Sequence, residues 1–478
     1  MNFKIQYHKW TEKEYKKLNK SIRDLLNYES LQFYMPFYSL YFYIHNKSKA
    51  IHKIDLKRNY YLKEITEITK SRYYNSNMFM KGNIYNELKN ITTEKELFCK
   101  SIPIVDPIHC INNNYNFVNH TNYHLPSNYN HNTFQKINDI NNTAYIDVFC
   151  SYLFSNLTYK KLSPSFPLFY GSINGIGDYN HDLSEDYMDI KNDKCFNENI
   201  DKGFQLEIYV SDSESESDTN PDTDSDSHSD SSSCPSEKNG YDDCIAKITK
   251  IPIQMLFIER LEGTLEDLIY EKISEEVLLS CIFQISFALS YLQKHFYFTH
   301  NDLHINNVMF AKTESKYLYY KYNNVYYRVP THGYIFKIID FGRAIFKFRN
   351  KIFMNDVFSS HGEAGGQYTY PSQIPFMIEK NKENIRPNFH FDLCRLSMTI
   401  LDEINQDNYS ETTLLFLHKI CKNKLGISFC DMNDDFYLYK SIAKDACNCL
   451  PREIIMNDIF KQYRIKKKLF PRKSFYTV

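Results

Sequence analysis

Glycine is scarce in this chain, 13 of 478 residues, and it never falls into a G-x-G-x-x-G pattern. A glycine-rich phosphate loop is therefore not legible. The 12 cysteines lack the dense, regular spacing of a small secreted scaffold, which points to a reducing compartment. The first 25 residues are charged and polar and carry no secretory-signal pattern. The longest apolar stretch, VLLSCIFQISFALSYL from Val277, falls short of the about 20 apolar residues a membrane span needs. Net charge is -1, which argues against a wholesale nucleic-acid binder. No internal repeat is visible.

What the chain does have is length, apolar content and uneven charge. At 478 residues and 42% hydrophobic it can bury a sizeable core, as two or three domain-sized units or one large domain with insertions. Tyr (40) and Phe (35) are abundant, but so are Asn, Lys and Ile, all with AT-rich codons. The aromatic excess is thus no evidence for stacking on bases. Residues 211–232 hold eight acids and no Lys or Arg; the remainder is then basic, 57 against 50, about +7.

That acidic tract is the clearest boundary. Residues 211–240 are nearly devoid of apolar side chains, cannot offset the entropy of ordering, and are expected to be a disordered, solvated linker. Before it, 11–27 reads as an amphipathic helix, and the aromatic run at 31–46 as a buried or half-buried element. After it, 251–259 reads as a strand, with Gly263 at a turn and Thr264 as an N-cap. Val277, Leu278, Cys281, Ile282, Ile285, Leu289 and Leu292 fall at helical spacing with apolar residues on other faces too, so 274–293 is expected as a central buried helix. Residues 315–330 read as an aromatic β-hairpin turning at Asn323-Asn324.

The run YFTHNDLHINNVMF (297–310) carries the chemistry. His300, Asn301, Asp302, His304, Asn306 and Asn307 crowd into eight residues, and Asp340-Phe341-Gly342 follows a later apolar strand. Phosphoryl transfer needs a carboxylate for the attacking hydroxyl, oxygen ligands for magnesium, and a cation on the phosphates. A zinc site is the weaker reading, because no general-base Glu accompanies His300 and His304. Cys421, Cys430, Cys447 and Cys449 also lack paired C-x-x-C spacing.

The motif His300-Asn301-Asp302-Leu303-His304-Ile305-Asn306-Asn307, with Asp340-Phe341-Gly342 downstream, resembles the eukaryotic-type protein kinase-like superfamily. It is similar in particular to divergent kinase-like proteins of large DNA viruses. The resemblance implies an α+β, two-lobed fold with a small β-rich N-lobe and a mostly helical C-lobe. The expected divisions are an N-terminal extension (1–75), a divergent N-lobe (76–210), the disordered acidic insertion (211–243), and hinge plus C-lobe (244–478). Asp302 would be the catalytic base, Asn307 and Asp340 the magnesium ligands, and His300 a brace. Glu259, Arg260 and Leu261 would form the hinge that meets adenine. Asp392, in 390–401, would hydrogen-bond the catalytic-loop backbone, and 362–371 would lie in the activation segment.

The resemblance further implies ATP and Mg2+ as cofactors, a protein Ser/Thr acceptor and no specific nucleic acid. The location would be cytoplasmic: host cytoplasm or virion for a viral protein. Lys100, at the end of an apolar strand-like run, is the candidate ATP lysine, with Asp147 in a helix at 141–157 as its partner. The phosphate-covering loop is sought near 79–88. Asn301 stands where an Arg usually reads a phosphorylated activation loop, which argues against that switch. His304 departs from the usual Lys and leaves a small-molecule acceptor (aminoglycoside or choline type) open. The missing glycine loop leaves a pseudokinase scaffold open. The basic stretch 461–473 is expected as a solvated C-terminal helix that docks the acidic tract.

Overall fold

The amphipathic segment after Thr11 does form a helix, α1 (Glu12–Leu26), and its start is fixed by a capping box between Thr11 and Glu14. The computed structural model describes residues 5–37, 53–71, 76–115, 125–127, 135–184, 186–209, 243–349, 351–360, 362–370, 386–432, 435–471 and 475–478. The acidic tract, and with it the linker and docking expectations for 211–240, lies outside the described residues, as does 38–46 of the aromatic run.

The chain is mixed α+β. Its first half is organised by one sheet of seven strands: β2 (Glu29–Gln32), β4 (Tyr60–Ser71), β5 (Met78–Asn86), β6 (Ile91–Pro103), β7 (Phe169–Asp182), β8 (Phe204–Tyr209) and β9 (Asp243–Glu259). The order is β2-β7-β9-β6-β5-β4, with β8 paired to β9. All pairings in it are antiparallel. One long helix, α2 (Thr143–Tyr159), lies against the sheet and is capped by Asn142.

Residues 5–37 and 53–71 share this core. β1 (Tyr7–Lys9) pairs with β3 (Ile54–Leu56), and β4 is zipped along β5 from Tyr60↔Asn86 to Ser71↔Met78. The expected division at 75/76 thus runs between neighbouring strands of one sheet. Buried Asp55 accepts from Trp10 Nε1 (3.2 Å) and pairs with Arg58 (2.8 Å), whose Nε donates to Tyr170 O on β7. Leu31, Phe33, Tyr34, Met35 and Phe37 are buried, as expected for the described part of that run.

The second half holds more helix than strand. Thr264 caps the short helix α3 (Leu265–Tyr270) through a capping box with Asp267. The expected central helix is α4 (Glu275–Phe296), the one described helix with the length and hydropathy of a membrane span; it is 89% buried in the protein. Helices α5 (Phe391–Glu403), α6 (Glu411–Ile420) and α7 (Asp435–Asp445) complete this part. Between α4 and α5 run β11 (Val308–Lys312), β12 (Tyr317–Tyr322), β13 (Val325–Pro330), β14 (Tyr334–Ile338), β15 (Ile345–Phe348) and β16 (Lys351–Met354). β10 (Gly263–Thr264), β11 and β14 form a three-stranded sheet in that order, with β11 in the middle. β12 and β13 form the expected hairpin; Asn323 (φ 44°) and Asn324 (φ 65°) both occupy the left-handed region that a two-residue turn of matching twist needs.

Two expectations are corrected. The basic stretch 461–473 is not a continuous helix: after a 3-10 turn ending at Tyr463, β17 (Arg464–Ile465) pairs with β13. The final strand β18 (Tyr476–Thr477) pairs with β12. Pairing with the hairpin satisfies edge backbone groups that would otherwise stay open. Of 79–88, near which the phosphate loop was sought, residues 79–86 belong to strand β5 and 87–88 to the turn after it. Gly82 sits in mid-strand, where a Cβ would meet Glu64 O and Leu62 at 2.8 Å, so its role is close packing. The β4–β5 connection spans 72–77.

Candidate active site

The site forms where β6, α2, β9, β11 and β14 converge on a cleft of about 280 Å³. Phe79, Phe98, Phe154, Leu256, Ile258 and Met309 give it apolar walls; Lys100, Asp147 and Asp340 supply charge at one end. An apolar cleft with a few convergent polar groups is the usual form of a small-molecule site.

Lys100 comes from β6 and reaches two carboxylates. Its Nζ lies 2.7 Å from Asp147 Oδ2 and 2.8 Å from Asp340 Oδ1. Asp147, from the buried face of α2, also accepts the Phe341 N–H at 3.1 Å. One carboxylate therefore fastens helix, strand lysine and Asp-Phe-Gly turn together. Burial opposes the charged form of Lys100, but the two carboxylates outweigh it and raise its pKa. Asp340 is held down to about 2: burial pushes it upward, and the Lys100 ammonium overcomes that. Asp147, almost fully buried, is pushed up by desolvation despite Lys100. Asp340 occupies the left-handed region (φ 59°), a conformation costly for a non-glycine residue and held here by these contacts.

Asn307 and Asp340 leave neighbouring strands side by side. Val308 and Ile338 are cross-strand partners, and Ile339 N donates to Asn307 O at 3.1 Å. Asn307 Nδ2 donates to Asp302 O at 2.9 Å and lies 2.9 Å from His304 Nε2. Asn307 Oδ1 accepts nothing among the described residues. Asp340 Oδ2 is likewise without a partner among them. Two oxygen donors from adjacent strands suit a hard cation such as Mg2+.

The loop carrying Asp302 is fixed from below. Asp392 on α5 is buried and accepts from His300 N (3.0 and 3.1 Å) and Asn301 N (2.9 Å). His300 Nε2 lies 2.8 Å from Ile339 O, and its ring meets Phe341. Asn301, at φ 64°, fits the left-handed region better than most residues. Its Nδ2 donates to Arg343 O (3.0 Å) and Thr299 Oγ1 (3.1 Å), and its Oδ1 accepts from Tyr368 Oη (2.9 Å). A neutral amide thus ties loop 299–302 to the segment after Gly342.

Among the hinge candidates, Glu259 and Leu261 line the cleft. The Glu259 carboxylate is taken by Lys337 (2.7 Å) and Leu168 N (2.9 Å), and its N–H by Leu168 O. Leu261 N–H meets no acceptor among the described residues. Arg260 turns outward to Glu96 at 2.7 Å. Cys421 lies against Cys430, and Cys449 against Cys394; among the described residues no group of three or more His, Cys, Asp or Glu is arranged to hold a metal ion.

Sequence reasoning missed Tyr439 and Arg343. Tyr439 Oη donates to Asp302 Oδ1 at 2.8 Å, and Arg343 Nη1 stands 3.8 Å from the same oxygen. Arg343 directly follows the Asp-Phe-Gly motif, which was a usable local signal. Tyr439 lies 137 positions from Asp302 and gave none.

This chain resembles the protein kinase-like superfamily, and the similarity includes a viral kinase. It is 28% identical over 111 residues to "Serine/threonine-protein kinase haspin" of Mus musculus and to that of Bos taurus, in each case 23% of this chain. Over 197 residues, 38% of the chain, it is 24% identical to "Putative serine/threonine-protein kinase R301" of Acanthamoeba polyphaga mimivirus. The matches span 15%, 14% and 46% of those relatives, so the chain spans under half the length of each. No family model matches the chain.

Proposed function

We propose that this chain is an ATP- and Mg2+-dependent phosphotransferase, a serine/threonine-protein kinase with a two-lobed kinase-like fold. The observation that carries the reading is the pair of contacts Lys100–Asp147 and Lys100–Asp340 at the mouth of an apolar cleft, beside the loop of Asp302 and Asn307. The sheet-based first half is the N-lobe, entered before residue 75, and the hinge donor is the Leu261 N–H, which has no acceptor among the described residues. Glu259 is structural: its side chain locks β9 to Lys337.

Each group has one task. Lys100 neutralises phosphate oxygens, and Asp147 keeps its ammonium in the cleft. Asp340 and Asn307 would hold Mg2+, which would supply charge neutralisation for the transferred phosphoryl group. Asp302 orients the acceptor hydroxyl and takes its proton as the new oxygen–phosphorus bond forms and the bond to the nucleoside diphosphate breaks. Positioning and electrostatics do most of the work in such a reaction.

A nucleotide-binding scaffold without turnover is the second reading. It is favoured by the glycine-free β4–β5 connection. A thermal-shift titration with ATP, with and without Mg2+, followed by transfer of labelled phosphate to a protein acceptor, separates the two. Stabilisation with transfer supports the kinase; stabilisation without transfer supports the scaffold; no stabilisation by ATP contradicts both.

A further inference from the structure

The candidate base needs its own support. A carboxylate on a loop accepts a proton efficiently only when its orientation is fixed. In this loop His304 is turned to Asn307 and Asn306: its Nδ1 accepts from Asn306 N (3.3 Å) and its Nε2 lies 2.9 Å from Asn307 Nδ2. It makes no hydrogen bond to the Asp302 carboxylate. Asn307 reaches the Asp302 backbone carbonyl, not its side chain. The loop therefore leaves the carboxylate unheld from within.

The hold comes from the far end of the chain. Tyr439 on α7 donates to Asp302 Oδ1 at 2.8 Å. The tyrosine is itself built in. The Arg395 guanidinium stands 5.3 Å from its ring and that of Arg343 5.5 Å, and Phe391 packs on it at 5.8 Å. Arg395 Nε also donates to the phenol oxygen at 3.4 Å. That donation directs the single phenolic hydrogen toward Asp302. Arg343 Nη1, at 3.8 Å, stands on the same Oδ1 side. Asp302 Oδ2 has no partner among the described residues, so one oxygen is fastened and the other is open.

We propose that Tyr439 is the positioning residue for the catalytic carboxylate: its hydroxyl fixes Asp302 Oδ1 and presents Oδ2 to the acceptor hydroxyl. This rests on the kinase reading for its chemistry but not for its geometry. It assigns to α7 a role that the motif around Asp302 does not supply. It also makes the tyrosine hydroxyl, not the ring, the functional group.

The test is Tyr439→Phe, which keeps the ring between its two arginines and removes only the hydroxyl. Phosphate transfer is expected to fall about 10-fold or more in kcat with KM for ATP unchanged, since the lost contact serves the reacting group alone. An unchanged or raised kcat overturns the proposal; a rise would mean that Tyr439 blocks the acceptor. Crystal structures of both proteins give a reading independent of turnover. The proposal expects a single Asp302 carboxylate orientation, Oδ1 on Tyr439, in the wild type, and a turned or multiple orientation in Tyr439→Phe. The same orientation in both overturns it. Should the wild type transfer no phosphate, the kinase reading fails, and the two structures still decide the tether.

Discussion

Asp147 binds Lys100 with one carboxylate oxygen (2.7 Å) and the Phe341 N–H with the other (3.1 Å). Helix α2, strand β6 and the turn after β14 therefore hold their positions through a single buried side chain. Removing the cation leaves Asp147, 2% exposed at its side chain, without its charge partner. Lys100→Met is expected to cost about 3 kcal/mol, the lower end for a broken buried pair because Lys100 itself keeps partial exposure. Urea melts check the stability, and calorimetry with ATP should show at least about a 10-fold loss of affinity. Unchanged values in both would remove Lys100 from the site.

The N-terminal region sets the position of α2. Phe37 packs on Phe149 (5.0 Å), Tyr145 (6.4 Å) and, on β16, Phe353 (5.6 Å). Tyr145 and Phe149 lie one turn apart and flank Asp147. Phe37→Ala is expected to destabilise by about 3–5 kcal/mol. Because the helix loses its backing, nucleotide affinity should fall as well; the milder Phe37→Leu should retain most of both. Chemical denaturation and ATP titration of the two variants provide the comparison.

How much of this was legible in the sequence depended on range. Asp302, Asn307 and Asp340 announce themselves by spacing within one loop and one strand end. Thr11, Thr264 and the Asn323-Asn324 turn likewise act on residues within a few positions. Lys100 was readable only as a lysine ending an apolar run; Asp147 was named as its partner, but its second contact, to Asp340, was not foreseen. β4 was not foreseen because Lys63, Glu64, Thr66 and Glu67 interleave with buried Tyr61, Leu62 and Ile65 and leave no clean apolar alternation to mark a strand. Tyr439 had no signal at all: its partner is set by how α7 packs, which no window of sequence contains.

The amide of Asn301 joins the loop to Tyr368 and Arg343 without a phosphate. Tyr368→Phe leaves Asn301 Oδ1 buried and unpaired and is expected to cost about 1–3 kcal/mol. Asn301→Arg places an unmatched charge in a fully buried position and should cost more, without conferring dependence on activation-segment phosphorylation. Thermal melts, and activity before and after phosphatase treatment, measure both effects.

Asp139 is pushed up to about 6 by burial, only partly countered by the Asn141 N–H. Its charged form is the disfavoured one in the folded chain. The stability it contributes is complete below its ordinary value of 3.8 and is lost as the pH rises through about 6. Asp139→Asn retains the oxygen acceptor without the charge. It should raise the melting temperature by about 1 °C at pH 7, for about 1 kcal/mol, and leave it unchanged below about pH 4. Differential scanning calorimetry at the two pH values tests the sign directly.

The central claim is that Asp302 is the base of a phosphoryl transfer. Wild type and Asp302→Ala should be incubated side by side with labelled ATP, Mg2+ and a mixed protein acceptor, with ATP binding measured on the same samples. The account predicts labelled phosphoserine or phosphothreonine with the wild type. With the variant it predicts a loss of about 100-fold or more and unchanged ATP binding. Transfer that survives Asp302→Ala at the wild-type rate would contradict it.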